Sequence, residues 1–191
     1  MTSPLAPSRT IRIGIIAASI VLALDAVTKF WAVSSLTDDR KIHLFWTLRL
    51  ALVHNEGMAF STGTNVGPFI GMLAIFVIGM LFLTLRKSSN IYSLIATGSI
   101  IGGATGNVLD RVFRGEGFMG GAVVDFIDFQ WWPIFNIADI GVVCGAILLV
   151  ISTLRDPDTD SPDGGAEDVE AGSSPVTDSP STPSTTQIES T

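Results

Sequence analysis

The residues best placed to do chemistry are polar ones set in long apolar runs. Asp25 and Lys29 lie near the end of one run, and Asn107, Asp110 and Arg111 near the end of another. Asn136 and Asp139 lie near the start of a third. Ionisable groups in hydrocarbon are costly and mark function by default. Their spacing is helical. Asp25 and Lys29 are four residues apart, as are Asn107 and Arg111, while Asn136 and Asp139 are three apart, so each set shares a helix face. The histidines, His43 and His54, have no evident hydroxyl partner and do not form an i,i+4 pair for a metal. Carboxylates remain. Two carboxyls sharing a water can split a peptide bond without a covalent intermediate. One is ionised and takes a proton from the water; the other is protonated and polarises the carbonyl. Held close, they share one proton because both cannot ionise. Asp125 and Asp139 are candidates for such a pair. Asp110 competes with Asp125, although its neighbour Arg111 offers it an ion-pair role instead.

These residues need elements to position them. A bilayer core about 30 Å thick takes roughly 20 apolar residues as a helix. Four stretches qualify: about 11–33, 66–85, 91–112 and 134–154. The first is too long for a signal-peptide core and is interrupted by Asp25, so it reads as a retained helix. With four up-and-down spans, the end of the first, the end of the third and the start of the fourth meet on one side. Asn55 and Asp125, in the two connections on that side, join them. Asp139 is expected about six residues into its helix, roughly 9 Å by helical rise, so the site would sit just under the outer surface, open to water and lipid. Arg9, Arg12, Arg86, Lys87 and Arg155 flank the opposite ends, which puts both termini in the cytoplasm and the polar cluster on the outer face. Between the first two spans, Ile42, Leu44, Trp46, Leu48, Leu50 and Leu52 alternate strictly, the pattern of a strand. Trp46, and later Trp131 and Trp132, suit a membrane interface. The expected fold is therefore a mainly α membrane protein of four transmembrane helices with a small extracytoplasmic β-rich segment between helices 1 and 2. Gly102 and Gly106 form a small-xxx-small pair that permits close helix packing.

Composition agrees. Only 15% of residues are charged, against about 25% in a soluble domain, and mean hydropathy is +0.49. The net charge of −7 is unevenly spread. Residues 1–155 carry all 11 basic and nine acidic residues, for +2; residues 156–191 carry −9. That tail, rich in Ser, Thr, Pro and Asp, is expected to be a disordered acidic cytoplasmic segment. No basic stripe for nucleic acid is present. The single Cys144 excludes an internal disulfide and reads as inert packing.

In combination the motifs resemble the lipoprotein signal peptidase (signal peptidase II) family of bacterial membrane aspartyl proteases. Asp25-Ala-Val-Thr-Lys29 is similar to its first box, and His54-Asn-Glu-Gly-Met-Ala-Phe60 to its Asn-x-Gly-x-Ala-Phe box. Gly102-Gly-Ala-Thr-Gly-Asn-Val-Leu-Asp-Arg111 is similar to the third. Val123-Val-Asp-Phe126 and Phe135-Asn-Ile-Ala-Asp139 resemble the boxes that carry the catalytic aspartates. All five occur in family order across about 11–155, with the tail outside. The resemblance implies Asp125 and Asp139 as the dyad, ahead of Asp110. It implies supporting or substrate-binding roles for Asp25, Lys29, Asn55, Gly57, Gly103, Asn107, Asp110, Arg111 and Asn136. Asp128 lacks the motif context and is expected to be solvated.

The implied substrate is a prolipoprotein bearing a diacylglyceryl cysteine, cut on the N-terminal side of that cysteine. The implied site is at the outer face of the bacterial cytoplasmic membrane, in contact with lipid, with no cofactor and no metal. One chain supplies the whole site, so a functional monomer is expected. The rival reading is a proton-coupled carrier, since clustered intramembrane carboxylates also mark proton paths. A carrier needs polar residues through to the far side, and the second span has none.

Overall fold

The structure is a computed structural model and describes residues 7–57, 67–88 and 90–155. Residues 58–60 of the Asn-x-Gly-x-Ala-Phe box and the acidic tail lie outside the described residues. The elements in order are α1 (Pro7–Ser35), β1 (Lys41–Phe45), β2 (Leu48–Asn55), α2 (Gly67–Leu85), α3 (Ile91–Phe113), β3 (Val123–Asp128) and α4 (Ile137–Arg155).

Ile11–Ser35 of α1, and all of α2 and α4, are long and apolar enough to cross a bilayer. Ile16, Val27 and Phe30 on α1, Phe69 and Phe76 on α2, and Val143 and Leu154 on α4 are each more than half exposed. In water so much bare apolar surface would drive association; against lipid it is the surface a spanning helix requires. The protein is membrane-embedded. Cys144 lies on this outer face of α4 and is exposed, so it is not core packing as the sequence suggested.

Helix α3 differs. At 23 residues it is long enough to span, but it is less apolar than the other three by the same measure. Its place explains why. It is the hub, packing against α1, α2 and α4, so its side chains meet protein more than lipid. Glycines bring the backbones together. A Cβ on Gly102 would stand 2.3 Å from Ala18 O of α1, and one on Gly103 would stand 2.3 Å from Ala138 O of α4. Side chains there would wedge the helices apart.

The sheet is antiparallel with order β1-β2-β3. The alternating pattern at 42–52 is divided between two antiparallel strands. The chain reverses at Trp46-Thr47, where Trp46 takes φ 48°, and a register shift between His43 and Phe45 breaks the period. Ile42, Leu50 and Leu52 therefore pack inward on Ala32, Leu36 and Phe126, while Leu44 and Trp46 point out. The third strand, Val123–Asp128, does not alternate because both its faces are covered. After Asp128 the chain doubles back, and Phe135 bridges to Ile127 just before α4 begins.

Gly102→Val should destabilise the fold by ~1–3 kcal/mol through overpacking. The check is thermal unfolding in detergent, with Gly79→Val as the neutral comparison, since nothing lies within 4 Å of a Cβ there.

Candidate active site

Three chain segments deliver polar side chains to one end of the helix bundle: the C-terminal turns of α1 and α3, and the N-terminus of α4. The centre is Lys29, whose exposure is 1%. Its ammonium donates to Asp25 Oδ2 and Asp110 Oδ2, both at 2.8 Å, and to Asn107 Oδ1 at 3.0 Å. Three N–H bonds meet three acceptors on two helices. A buried charge is tolerated only when paired and hydrogen-bonded in this way.

Each carboxylate then makes a second contact. Asp25 Oδ1 accepts the Ala138 N–H at 3.0 Å, so a side chain from α1 caps the first turn of α4. Asp110 Oδ2 accepts the Val124 N–H at 3.2 Å, which holds β3 against the end of α3. Asp110 Oδ1 takes the Arg114 Nε–H one turn on. The ion-pair partners of Asp110 are thus Lys29 and Arg114, not Arg111. The i,i+4 spacing of Asp110 and Arg114 was the signal for that pair.

Helix α4 starts at Ile137, later than the apolar pattern suggested. Asp139 is therefore in the first helical turn rather than about six residues into the helix. Asn136 and Asp139 form a reciprocal capping box. The Asp139 N–H donates to Asn136 Oδ1 at 3.0 Å, and the Asn136 N–H donates to Asp139 Oδ2 at 3.1 Å. Asn107 Nδ2 donates to Asp139 Oδ1 at 2.8 Å. Both oxygens of Asp139 thus accept N–H bonds.

Asp125, 3% exposed, stands on β3 beside them. The side-chain amide of Asn136, itself fully buried, lies 2.7 Å from Asp125 Oδ1, 3.0 Å from Asn107 Oδ1 and 3.3 Å from Val124 O. Asn55 Nδ2 donates to Asp125 Oδ2 at 3.0 Å from β2. Asn55 Oδ1 in turn accepts the Gly57 N–H at 2.9 Å, with Gly57 at φ 102°, where only glycine sits without strain. Burial raises the Asp125 carboxyl to about 6, and nearby Asp139 pushes the same way; hydrogen bonds from Asn55 and Asn136 and the charge of Lys29 pull it down.

Asp25, Lys29, Asn55, Asn107, Asp110, Asp125, Asn136 and Asp139 thus form one hydrogen-bonded network, with Gly57 joined to it through Asn55. Gly103 contributes the close approach of α3 to α4. Arg111 stands apart. It is 6% exposed, lies against Gly67 at the start of α2, and its Nη1 has no hydrogen-bond partner among the described residues. His54 is exposed on β2. Asp128 corrects the sequence reading: it is not solvated but 3% exposed and paired with Arg49 at 2.6 Å. Sequence reasoning missed that pair because its members are 79 residues apart and join only through strand pairing.

Fold and site together define a membrane-embedded protein with a buried centre of several carboxylates at one end of its helices. Residues 17–155 match the sequence profile of the Peptidase_A8 family, described as signal peptidase (SPase) II. The lipoprotein signal peptidase of Rhodococcus jostii (strain RHA1) is 42% identical over 152 residues, covering 78% of this chain and 76% of that protein. The lipoprotein signal peptidase of Mycolicibacterium smegmatis is 43% identical over 161 residues, covering 83% and 68%. Two solved structures, described as bacterial membrane enzymes determined by the in meso method, share the fold. Their TM-scores are 0.66 and 0.65 at 28% and 29% identity; they cover 78% and 75% of this chain and 91% and 93% of their own. The chain belongs to the signal peptidase II family and is a membrane protease.

Lys29→Met should cost ~3–5 kcal/mol, because Asp25 and Asp110 would keep their burial and lose their shared cation. Unfolding in detergent measures this. The double variant Lys29→Met/Asp25→Asn should recover part of the loss.

Proposed function

We propose that the protein is an aspartic endopeptidase that removes signal peptides from diacylglyceryl-modified prolipoproteins, cutting on the N-terminal side of the lipidated cysteine. The observation that carries the reading is the bridge through Asn136. Its side-chain amide holds Asp125 and its backbone N–H holds Asp139. Two carboxyls clamped to one residue are positioned to share one water and one proton. Asp110, saturated by Lys29, Arg114 and the Val124 N–H, is suited to a structural role instead.

Charge balance favours the same assignment. Asp25, Asp110, Asp125 and Asp139 face Lys29, Arg111 and Arg114, so the group is neutral with one carboxyl protonated. Asp125, raised by burial to about 6, carries that proton below that pH. In the proposed mechanism Asp139 takes a proton from water as its oxygen attacks the scissile carbonyl carbon. Asp125 donates its proton to the carbonyl oxygen, giving a neutral gem-diol. Asp139 then passes its proton to the leaving nitrogen and Asp125 regains one from the diol, so the C–N bond breaks and the dyad returns to its starting state. Arg111 Nη1, without a hydrogen-bond partner among the described residues, is available to a substrate carbonyl, and membrane lipid borders the site through the exposed helix faces.

Family membership supports the substrate class and sets the carrier reading aside. Four features support an orientation with α3 as a fourth span, both termini cytoplasmic and the site at the outer face of the bacterial cytoplasmic membrane. Arg86 and Lys87 lie at the end away from the site. Arg155 ends α4 there too. Trp46 at the hairpin tip is 88% exposed, and Trp131 and Trp132 are 66% and 59% exposed. A left-handed backbone at Trp46 costs about 1–3 kcal/mol, an expense with no packing return in water but a clear one at a headgroup interface. One chain supplies the full network, so a monomer suffices.

The test is cleavage of a diacylglyceryl-modified prolipoprotein by purified protein. Asp125→Asn and Asp139→Asn should abolish turnover, and Asp110→Asn should retain it in whatever fraction folds. Loss in Asp110→Asn with full activity in Asp125→Asn would replace the dyad; no cleavage by native protein would remove the peptidase reading of this substrate. Arg111→Met should raise KM at least tenfold, from a charged hydrogen bond worth ~1.5–3 kcal/mol. The pH dependence follows from Asp125. Its protonated form is the active one and is lost as pH rises through about 6, so kcat/KM should show an alkaline limb there. The limb in kcat should lie higher, because bound substrate excludes more water and further disfavours the charged carboxylate.

A further inference from the structure

Asp128 has no part in the mechanism above, yet it is one of the most completely buried carboxylates in the protein. It lies three residues beyond Asp125 on β3, about 10 Å away at strand rise. Among the described residues its carboxylate hydrogen-bonds to none of the residues of the proposed dyad network. What it touches is the machinery that aims that network. Its Oδ2 accepts the Arg49 Nε–H of β2 at 2.6 Å. Its Oδ1 accepts the Gln130 N–H, also at 2.6 Å, which holds the turn where Gln130 takes φ 68°. Gln130 Nε2 then donates to Thr47 O at the hairpin tip, at 2.7 Å.

The register makes this consequential. Arg49 pairs with Asp128 and Leu50 with Ile127; then the ladder slips, and Val53 pairs with Asp125 and Asn55 with Val123. Two residues of β2, Ala51 and Leu52, oppose the single Phe126. A bulge of this kind re-aims every side chain beyond it, and a one-residue slip turns each to the opposite face. Asn55 lies beyond it, and its amide reaches Asp125. On the other branch, the turn at Gln130 sends the chain back so that Phe135 bridges Ile127 and Asn136 arrives beside Asp125. One carboxylate therefore anchors both approaches to the dyad.

We propose that Asp128, with Arg49, is a positioning residue pair: it locks the β2–β3 register across the bulge and the turn into α4, and so sets the hydrogen bonds of Asn55 and Asn136 to Asp125. This rests on the dyad reading for its effect on catalysis, but its geometric content is independent of that reading. The groups facing Asp125 are Asn55 from β2, Asn136 and Asp139 from the start of α4, Lys29 from α1 and Arg111 from α3. Of these, Asn55 and Asn136 are the ones the pair positions. Both donate to the ionised carboxylate, so loosening either makes ionisation of Asp125 harder.

The experiment compares native protein with Asp128→Asn, Arg49→Met, Arg49→Lys and Asn55→Ala, alone and as Asp128→Asn/Asn55→Ala. Two readouts are taken on folded protein. One is carbon NMR titration of the Asp125 carboxyl, which needs no substrate. The other is kcat, KM and the pH profile on lipidated prolipoprotein. Asp128→Asn and Arg49→Met should move the Asp125 titration to higher pH, in the direction of Asn55→Ala. They should lower kcat by roughly 10–100-fold, the scale of a misplacement of about 1 Å, with a smaller change in KM. Arg49→Lys should restore part of both. The double variant should titrate above Asn55→Ala alone, through the loosened Asn136, but by less than the sum of the two single shifts. An unmoved titration, a loss of stability with unchanged kcat per folded molecule, or shifts that simply add would each overturn the proposal. If native protein does not cleave the substrate, the peptidase reading fails while the titration still decides the role of Asp128.

Discussion

The cost of holding a charge away from water governs this protein. Lys29 is an ammonium with almost no solvent contact at the end of a helix bundle that faces lipid. In that setting every one of its N–H bonds needs an acceptor, and its charge needs a counter-charge. Asp25 satisfies it from its own helix, and Asp110 and Asn107 from α3. These partners are not spent on Lys29 alone. Asp25 reaches the first turn of α4, Asp110 reaches the backbone of β3, and Asn107 reaches Asp139. One buried cation thereby fixes the relative positions of α1, α3, α4 and β3.

The asparagines complete what the charges begin. An amide side chain donates and accepts at once, so it can connect carboxylates without adding charge. Asn107 accepts from Lys29 and donates to Asp139. Asn136 accepts from Asp139 and donates toward Asp125, and Asn55 accepts from Gly57 and donates to Asp125. Two neighbouring carboxyls left unsupported would relieve their repulsion by moving apart. Here each oxygen of Asp125 and Asp139 is tethered, and Asp125 is raised by its burial, with the charge of Asp139 adding to the effect. Pre-organisation of this kind is what the proposed carboxyl-only mechanism requires.

Much of this was legible in the residues. Long apolar runs announced the helices, because a spanning helix must satisfy its backbone internally and show apolar surface to lipid. The convergence of Asp25, Lys29, Asn107, Asp110, Asn136 and Asp139 at one end followed from alternating helix direction. The sequence offered α3 as a span on the same footing as the others, but it is less apolar than they are, because the hub of a bundle is chosen for close packing and glycine contributes little hydropathy. The hairpin was hidden because the alternating pattern runs unbroken through Trp46, a residue that does not ordinarily mark a turn. Strand β3 was hidden because burial on both faces erases alternation.

The sequence by itself determined which residues are polar in an apolar setting, which helix face each occupies and which end of the bundle they share. Those properties depend on composition and on the 3.6-residue period, and both are local. Only the tertiary structure decided the pairings: Lys29 with Asp110, Arg114 rather than Arg111 with Asp110, Asn55 and Asn136 with Asp125, and Arg49 with Asp128. Most of these join residues far apart in the chain, and their geometry is set by a strand register, a bulge and a helix start. A shift of a single residue in any of these would exchange the partners while leaving the polar pattern of the sequence unchanged.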